Sequence, residues 1–394
     1  MPAASLALSA LAFVLAAITV LFAPARPLQL PLLGVLVYVA ALGLARYQGW
    51  LGSGAHEYAA LGAGGALCLT GYLAGQNGSL PERLWQITLW CGGGLAIAAF
   101  LDFALDPELN FGRSRPYHET RLAAPFLSAN TAATFYGIIA VMSLAEIIRV
   151  LSAKAAYPLQ TIERAVVGGL FPITFFLFAL SNVILTASRA GAAATVAALI
   201  ALILWETMSR WARGRLRVSL TKAGSVLTMG VVVTVGLYLI SGDLLQQRLS
   251  MTAEDESRTL LLASYAEAAT LEPVLGHGLG GFVWVNDLVS TAETGDLLQV
   301  QGAAHNVYLQ WIIQAGAVGT AMLALVLLPL LATIAHGLSV RRRRTTYLRA
   351  TLCITLLIAL HGMVDYAVEI PMVMWWFAWI LGLAAGLATK ARGA

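Results

Sequence analysis

Charge is scarce in this chain: 11% of its 394 residues are Asp, Glu, Lys or Arg, against 59% hydrophobic ones. Soluble domains carry about 25% charged residues, so no soluble domain of independent size fits here. Cysteine is also sparse. Cys68, Cys91 and Cys353 all sit inside apolar runs, where they act as small hydrophobes and make neither a disulfide framework nor a metal motif. The weak alternation of transmembrane strands is absent, as are repeats of fixed period. No Lys or Arg precedes the first apolar run, so residues 1–25 read as a first span despite the A-x-A pattern at Ala23-Pro24-Ala25.

What the chain has is apolar runs of roughly twenty residues, the length that crosses a bilayer as a helix. Lipid leaves no backbone group another way to be paired. The prediction is an all-α, polytopic transmembrane bundle of about eleven or twelve spans forming one integral membrane domain over 1–394. The spans fall at about 5–22, 28–45, 56–75, 83–102, 129–149, 166–186, 190–208, 221–241, 304–335, 347–368 and 371–389. Tryptophans such as Trp85, Trp205, Trp211 and Trp311 lie near their ends, as an interfacial belt requires.

The net charge of +4 is no sign of nucleic acid, because the basic residues are divided among short loops. Arg210 to Lys222, Arg341 to Arg344 with Arg349, and Lys390 with Arg392 are expected on the cytoplasmic side. Alternation then puts Arg149 on that side too. It leaves residues 103–128, the junction at Arg189, one large periplasmic loop at 242–303, and the turn near Asp365 to Pro371 on the other side.

The unusual polar residues gather on that outer side. Gly276 to Gly281 reads GHGLGG, formally a G-x-G-x-x-G pattern, but no strand precedes it and no βαβ unit encloses it. A glycine turn after Pro273 is the better reading. Ser188 is placed to cap the span that Arg189 opens, and a lone arginine there often only snorkels to the interface. Arg258 sits in EDESR, where the plain account is a surface ion pair of little energy. His305 is expected to begin a helix, with Asn306, Gln310 and Gln314 forming a polar stripe that must face a bundle or a wet cleft. His361, Asp365 and Glu369 are spaced i, i+4, i+8, as on one helix face, with an Asp365–His361 or Asp365–arginine pair as the structural account. A metal site there lacks ligands. Asn130 opens another span, as a cap or turn residue on the plain account. Arg113, Arg115 and Arg121 make its outer loop locally basic, a pattern that a ligand phosphate would explain.

Together these pieces resemble the O-antigen ligase and O-antigen polymerase superfamily of bacterial envelope glycosyltransferases. The resemblance rests on SANTAA at 128–133, SRAG at 188–191, Arg258 in DESR, PVLGHGLGGF at 273–282, HNVYLQWIIQAGAVG at 305–319 and HGMVDYAVEIP at 361–371, in that order. It covers about 110–375. One departure is visible, Gln314 standing where members often carry an acid before the Ala-Gly. The resemblance implies a multi-pass protein of the bacterial inner membrane that transfers a glycan from undecaprenyl diphosphate to a sugar hydroxyl at the periplasmic face. It implies no metal and no other cofactor. The acceptor is lipid A core in a ligase and a second lipid-linked repeat in a polymerase. It makes His305 the general base and Arg189 and Arg258 the diphosphate binders, with Asn130, Asn306, His361 and Asp365 as further substrate-binding candidates. The competing class is a transporter or flippase for an anionic lipid or solute, which would place charges near the bilayer midplane and show internal repeats. Oligomeric state leaves no mark in the sequence.

Overall fold

Long apolar runs become helices here, as lipid demands. A computed structural model describes residues 54–114, 121–152, 168–212, 252–341 and 343–389. These described residues are about 78% helical, with almost no sheet. The expected spans 5–22, 28–45 and 221–241 lie outside the described residues. In chain order the helices are α1 (Ala55–Gly75), α2 (Leu80–Leu105), α3 (Ala129–Leu151), α4 (Gly169–Leu185), α5 (Arg189–Trp211) and α6 (Thr252–Leu271). They continue with α7 (Phe282–Val289), α8 (Gly295–Gln299), α9 (Val307–Val340), α10 (Thr345–His361) and α11 (Pro371–Thr389). A two-residue hairpin, β1 (Leu109–Asn110) with β2 (Arg113–Ser114), is the only sheet among the described residues. Among these residues α2, α3, α5, α9 and α11 are long and apolar enough to cross a membrane. The chain is a multi-pass membrane protein.

Two units divide the described residues. The first contains α1, α6 to α9, and α11 with the segment that leads into it. Its tightest helix pair, α1 with α11, meets through small residues. Gly71 and Gly75 face Gly382 and Gly386 at the same four-residue spacing, and a Cβ on Gly382 or Gly386 would overlap the carbonyl of Cys68 or Tyr72. Lipid supplies no hydrophobic drive between helices, so such backbone approach is what holds them together.

Helix α9 is broken at Gly316, whose φ of 61° and ψ of −168° lie outside the helical region. The loop before α7 fills the break. Gly276, Gly278 and Gly280 all have positive φ there, which is the predicted glycine turn and no dinucleotide fold. The His277 and Gly278 N–H groups donate to the Ile313 and Gln314 carbonyls at 2.8 and 2.9 Å, and Ala317 and Val318 donate to Pro273 and Val274 at 2.9 and 3.0 Å. Groups that the break frees from the helix are thereby paired again, the condition under which non-helical backbone is tolerated at membrane depth. A Cβ on Gly276 would stand 2.6 Å from the Gln314 carbonyl, so only glycine fits. The segment expected as a large loop thus carries α6, α7 and α8 in its described part. Its core is Tyr265, Phe282, Val285 and Leu298.

The second unit holds α2 from Leu84 onward, α3, α4, α5 and α10. Helix α3 is its centre and is buried along most of its length. The Asn182 amide crosses from α4 to the Ala96 carbonyl on α2 at 2.8 Å, satisfying a polar group that lipid could not. At one end of this unit the basic residues expected on the cytoplasmic side are paired. Arg349 donates to Glu206 at 2.7 Å and to Ser209 at 2.6 Å. Arg149 meets Glu146, which also accepts from Tyr347 and Gln86.

Two helix limits differ from the sequence expectation. Helix α10 stops at His361, and Glu369 lies in a separate 3₁₀ turn, Ala367–Glu369. The three residues spaced as on one helix face therefore do not share a helix. The chain turns at Gly362, whose carbonyl accepts from Val307 at the start of α9, and the Asp365 carboxylate takes the Ala367 N–H at 3.0 Å. Helix α9 begins at Val307 rather than at His305. Asn306 is its cap, accepting from Tyr308 and Leu309.

Candidate functional site

His305 precedes the α9 cap in a left-handed conformation, with φ of 51°. A non-glycine residue holds such a conformation when its surroundings fix it on both sides. Upstream, the Ala304 N–H donates to the Gln310 side-chain oxygen at 2.6 Å. Downstream, Asn306 caps α9 while its amide donates to the Met363 carbonyl at 2.9 Å. The imidazole is thus mounted on a clamped corner.

Its surroundings suit a general base. The His305 side chain keeps 47% of its exposure, and Nδ1 stands 3.8 Å from Oδ1 of Asp365, whose own side chain is 1% exposed. That oxygen is buried and makes no hydrogen bond, while Oδ2 is held by Ala367. The separation is ion-pair reach rather than a hydrogen bond, and contacts of this kind often tighten only when substrate binds. A carboxylate facing Nδ1 favours the tautomer with its proton there, leaving Nε2 as the free lone pair. Tyr366 packs edge-on against the ring with centroids 5.3 Å apart. Burial pushes the Tyr366 phenol up, and the carboxylates of Asp365 and Glu369 add to the rise.

Glu369 is partly buried and meets the buried amide of Gln314 at 3.1 Å. The carboxyl group that Gln314 lacks relative to many superfamily members therefore stands beside it, brought from the 3₁₀ turn. Burial pushes Glu369 up to about 8, opposed by hydrogen bonds from Gln314 and Gln310 and reinforced by Glu57 of α1. The Gln314 side-chain oxygen meanwhile accepts from the Gly280 N–H at 3.2 Å. The predicted polar stripe on α9 is real, and its contacts run to the glycine turn, to the corner at His305 and to Glu369.

In the second unit, Ser188 caps α5 by accepting from Gly191 at 3.2 Å, and Arg189 is the exposed first residue of that helix. A helix start carries partial positive charge, and a guanidinium there adds to the pull that backbone N–H groups exert on an anion. His361 is 2% exposed and shares a 2.6 Å hydrogen bond with Thr134. A Cβ on Gly191 would stand 3.2 Å from its ring. His361 thus packs under the Arg189 turn, with Thr134 as a hydrogen-bond partner. Asn130 is not a cap, since Ser128 fills that position. Its oxygen accepts from Arg121 at 3.2 Å, and Arg121 also donates to the Thr186 carbonyl at 2.6 Å. Arg121 thereby ties the basic outer loop to the turn before α5, a positioning part that sequence marked only as local basic charge. Arg258 lies on α6, and its side chain is outside the described residues.

The first unit therefore brings together His305, Asn306 and Asp365, and the second brings together Asn130, His361 and the turn that carries Arg189. Among the described residues, no three His, Cys, Asp or Glu side chains are grouped so as to hold a metal ion. A half-exposed imidazole backed by a buried carboxylate is the chemistry of proton abstraction, and an exposed guanidinium at a helix start is the chemistry of anion binding.

Residues 174–324 match the family model described as O-antigen ligase, which supports membership of the O-antigen ligase and polymerase superfamily of membrane glycosyltransferases. No curated protein matches the chain.

Proposed function

We propose that this protein transfers a glycan from undecaprenyl diphosphate to a sugar hydroxyl at the periplasmic face of the bacterial inner membrane. Lipid A core is the acceptor, as in an O-antigen ligase. The observation that carries the reading is that the matched stretch 174–324 contains Arg189, Arg258 and His305 together, and that His305 has the buried Asp365 carboxylate behind it.

A sugar hydroxyl is a poor nucleophile. His305 Nε2 takes its proton as the oxygen forms a bond to the anomeric carbon, a contribution of about 10² to 10⁴ in rate. Asp365 steadies the imidazolium that results. The bond from the anomeric carbon to the phosphate oxygen breaks, and its electron pair leaves on undecaprenyl diphosphate. Direct displacement inverts the anomeric centre. Arg189 and Arg258 grip phosphate oxygens through their guanidinium forks in a bidentate way. They stabilise the departing charge without a metal. Membrane lipid surrounds the bundle and delivers the lipid-linked donor.

The test is to incubate the purified protein with an undecaprenyl-diphosphate glycan, chelator, and either lipid A core or a second lipid-linked repeat. Glycosylated core supports the ligase reading, and a lengthened lipid-linked chain replaces it with polymerase. Movement of donor across vesicles with no new glycosidic bond would refute both in favour of a transporter.

A further inference from the structure

Glu369 is not needed to bind or deprotonate a substrate in the reaction above, yet two buried glutamines of α9 act on its carboxyl. Gln314, 5% exposed on α9, turns its nitrogen to both carboxylate oxygens, at 3.1 and 3.4 Å. Its oxygen is occupied by the Gly280 N–H. Gln310, 3% exposed and one helical turn earlier on the same helix, also acts on the Glu369 carboxyl from its side chain, while its oxygen holds the Ala304 N–H. Each glutamine is therefore oriented by what it does at both ends. An amide has one acceptor oxygen and one donor nitrogen. With its oxygen committed to a backbone N–H, its nitrogen needs an acceptor, and for Gln314 Glu369 supplies it at 3.1 Å.

The two backbone N–H groups at the far ends belong to the two strained pieces of the first unit. Ala304 is the residue before His305, itself at φ of 51°, and Gly280, at φ of 75°, lies in the turn that fills the break in α9. We propose that Glu369 is a positioning residue for the transfer reaction, holding the His305 corner and the glycine turn in register through Gln310 and Gln314. It acts through those amides and does not touch the substrate. The inference rests on the function proposed above for its catalytic part, and on the geometry alone for its structural part.

Without Glu369 the Gln314 nitrogen loses its acceptor and Gln310 loses the carboxyl its side chain acts on, so both amides are free to rotate and the N–H groups of Ala304 and Gly280 lose fixed partners. A displacement of about 1 Å in a reacting group costs about 10²-fold in rate. Glu369→Ala is expected to lower kcat by about that factor with KM for the donor little changed. Glu369→Gln keeps an acceptor oxygen in place and should restore most of the rate. The same variants are read by hydrogen–deuterium exchange on the full-length protein. Glu369→Ala should speed exchange in peptides covering 276–282 and 303–306 and leave 129–151 unchanged, with Glu369→Gln close to wild type. Gly386→Ala, which strains the α1–α11 contact instead, serves as a control for general loosening and should not single out those two peptides.

Unchanged exchange at both peptides in Glu369→Ala would overturn the proposal, whatever the activity shows. So would a wild-type kcat in that variant. If the wild-type protein forms no glycosidic bond, the proposed function fails, and the exchange measurement still decides the role of Glu369 in the fold.

Discussion

Replacing Gly276 by alanine tests whether the broken helix is held by the loop that fills it. At φ of 67° an L-residue is disfavoured by about 1 to 2 kcal/mol. The added Cβ would stand 2.6 Å from the carbonyl of Gln314 and from the Gly316 nitrogen. Both are backbone atoms and cannot rotate away, so the loop must withdraw. Withdrawal breaks the bonds from His277 to Ile313 and from Gly278 to Gln314. Each leaves a buried backbone group unpaired at about 1 to 3 kcal/mol. The total is on the order of 4 kcal/mol. Gly112 is the matched control: its φ of 75° is nearly the same, but nothing lies within 4 Å of its added Cβ. Gly112→Ala should therefore lose only about 1 kcal/mol. Denaturant midpoints of the two variants in detergent give the comparison. Equal losses would mean that the close approach is worth nothing and that the account of the α9 break is wrong.

Asp365→Asn keeps an oxygen for the Ala367 N–H but removes the charge behind His305, so kcat should fall by about 10²-fold with the fold intact; a steady-state assay on the lipid-linked donor checks this. Arg349→Leu leaves the buried Glu206 only the longer ion pair to Arg210, at 3.6 Å, which should cost about 3 kcal/mol, and the double change with Glu206→Leu should recover most of it; unfolding midpoints of the single and double variants decide. Glu369 sits between spans at about 8, so the folded protein holds a proton there that the unfolded chain releases above the ordinary carboxylate range. Stability from this group is complete at low pH and is lost as pH rises from about 4.5 to 8, on the order of 2 kcal/mol after its partial exposure is discounted. Glu57, Asp365 and Tyr366 face the same region and remain in every variant, so Glu369→Gln should flatten that part of the melting temperature profile against pH and no other.

Span positions were legible because hydropathy over about twenty residues is a sum that single substitutions barely alter. The span expected at 371–389 and helix α11, Pro371–Thr389, agree at both ends, where Pro371 supplies a fixed start. The span expected at 347–368 ran too far. Periodicity carries no sign that Gly362 will accept a hydrogen bond from Val307, a residue distant in sequence. The break at Gly316 was hidden for the same reason, since it exists through pairing with 273–278. Small-residue spacing at Gly71, Gly75, Gly382 and Gly386 was visible in the sequence, but spacing alone does not say which two helices meet.

Of the candidate site, His305 and Arg189 were legible because charge and imidazole stand out in an apolar chain. The partner of His305 was not. Asp365 is reached only by the turn after α10, and the sequence offered His361 as a nearer choice. Glu369 was visible as a carboxylate beside a span, yet its meaning depends on two glutamines from α9 that look, on their own, like an ordinary polar stripe.

The central claim is that His305 is the base, and the most direct measurement is single-turnover transfer by His305→Ala with donor binding recorded on the same preparation. The account predicts a fall of about 10² to 10⁴ in the transfer rate with donor affinity unchanged, because the arginines proposed to hold the diphosphate are untouched. Transfer at the wild-type rate in a variant that binds donor normally would contradict it.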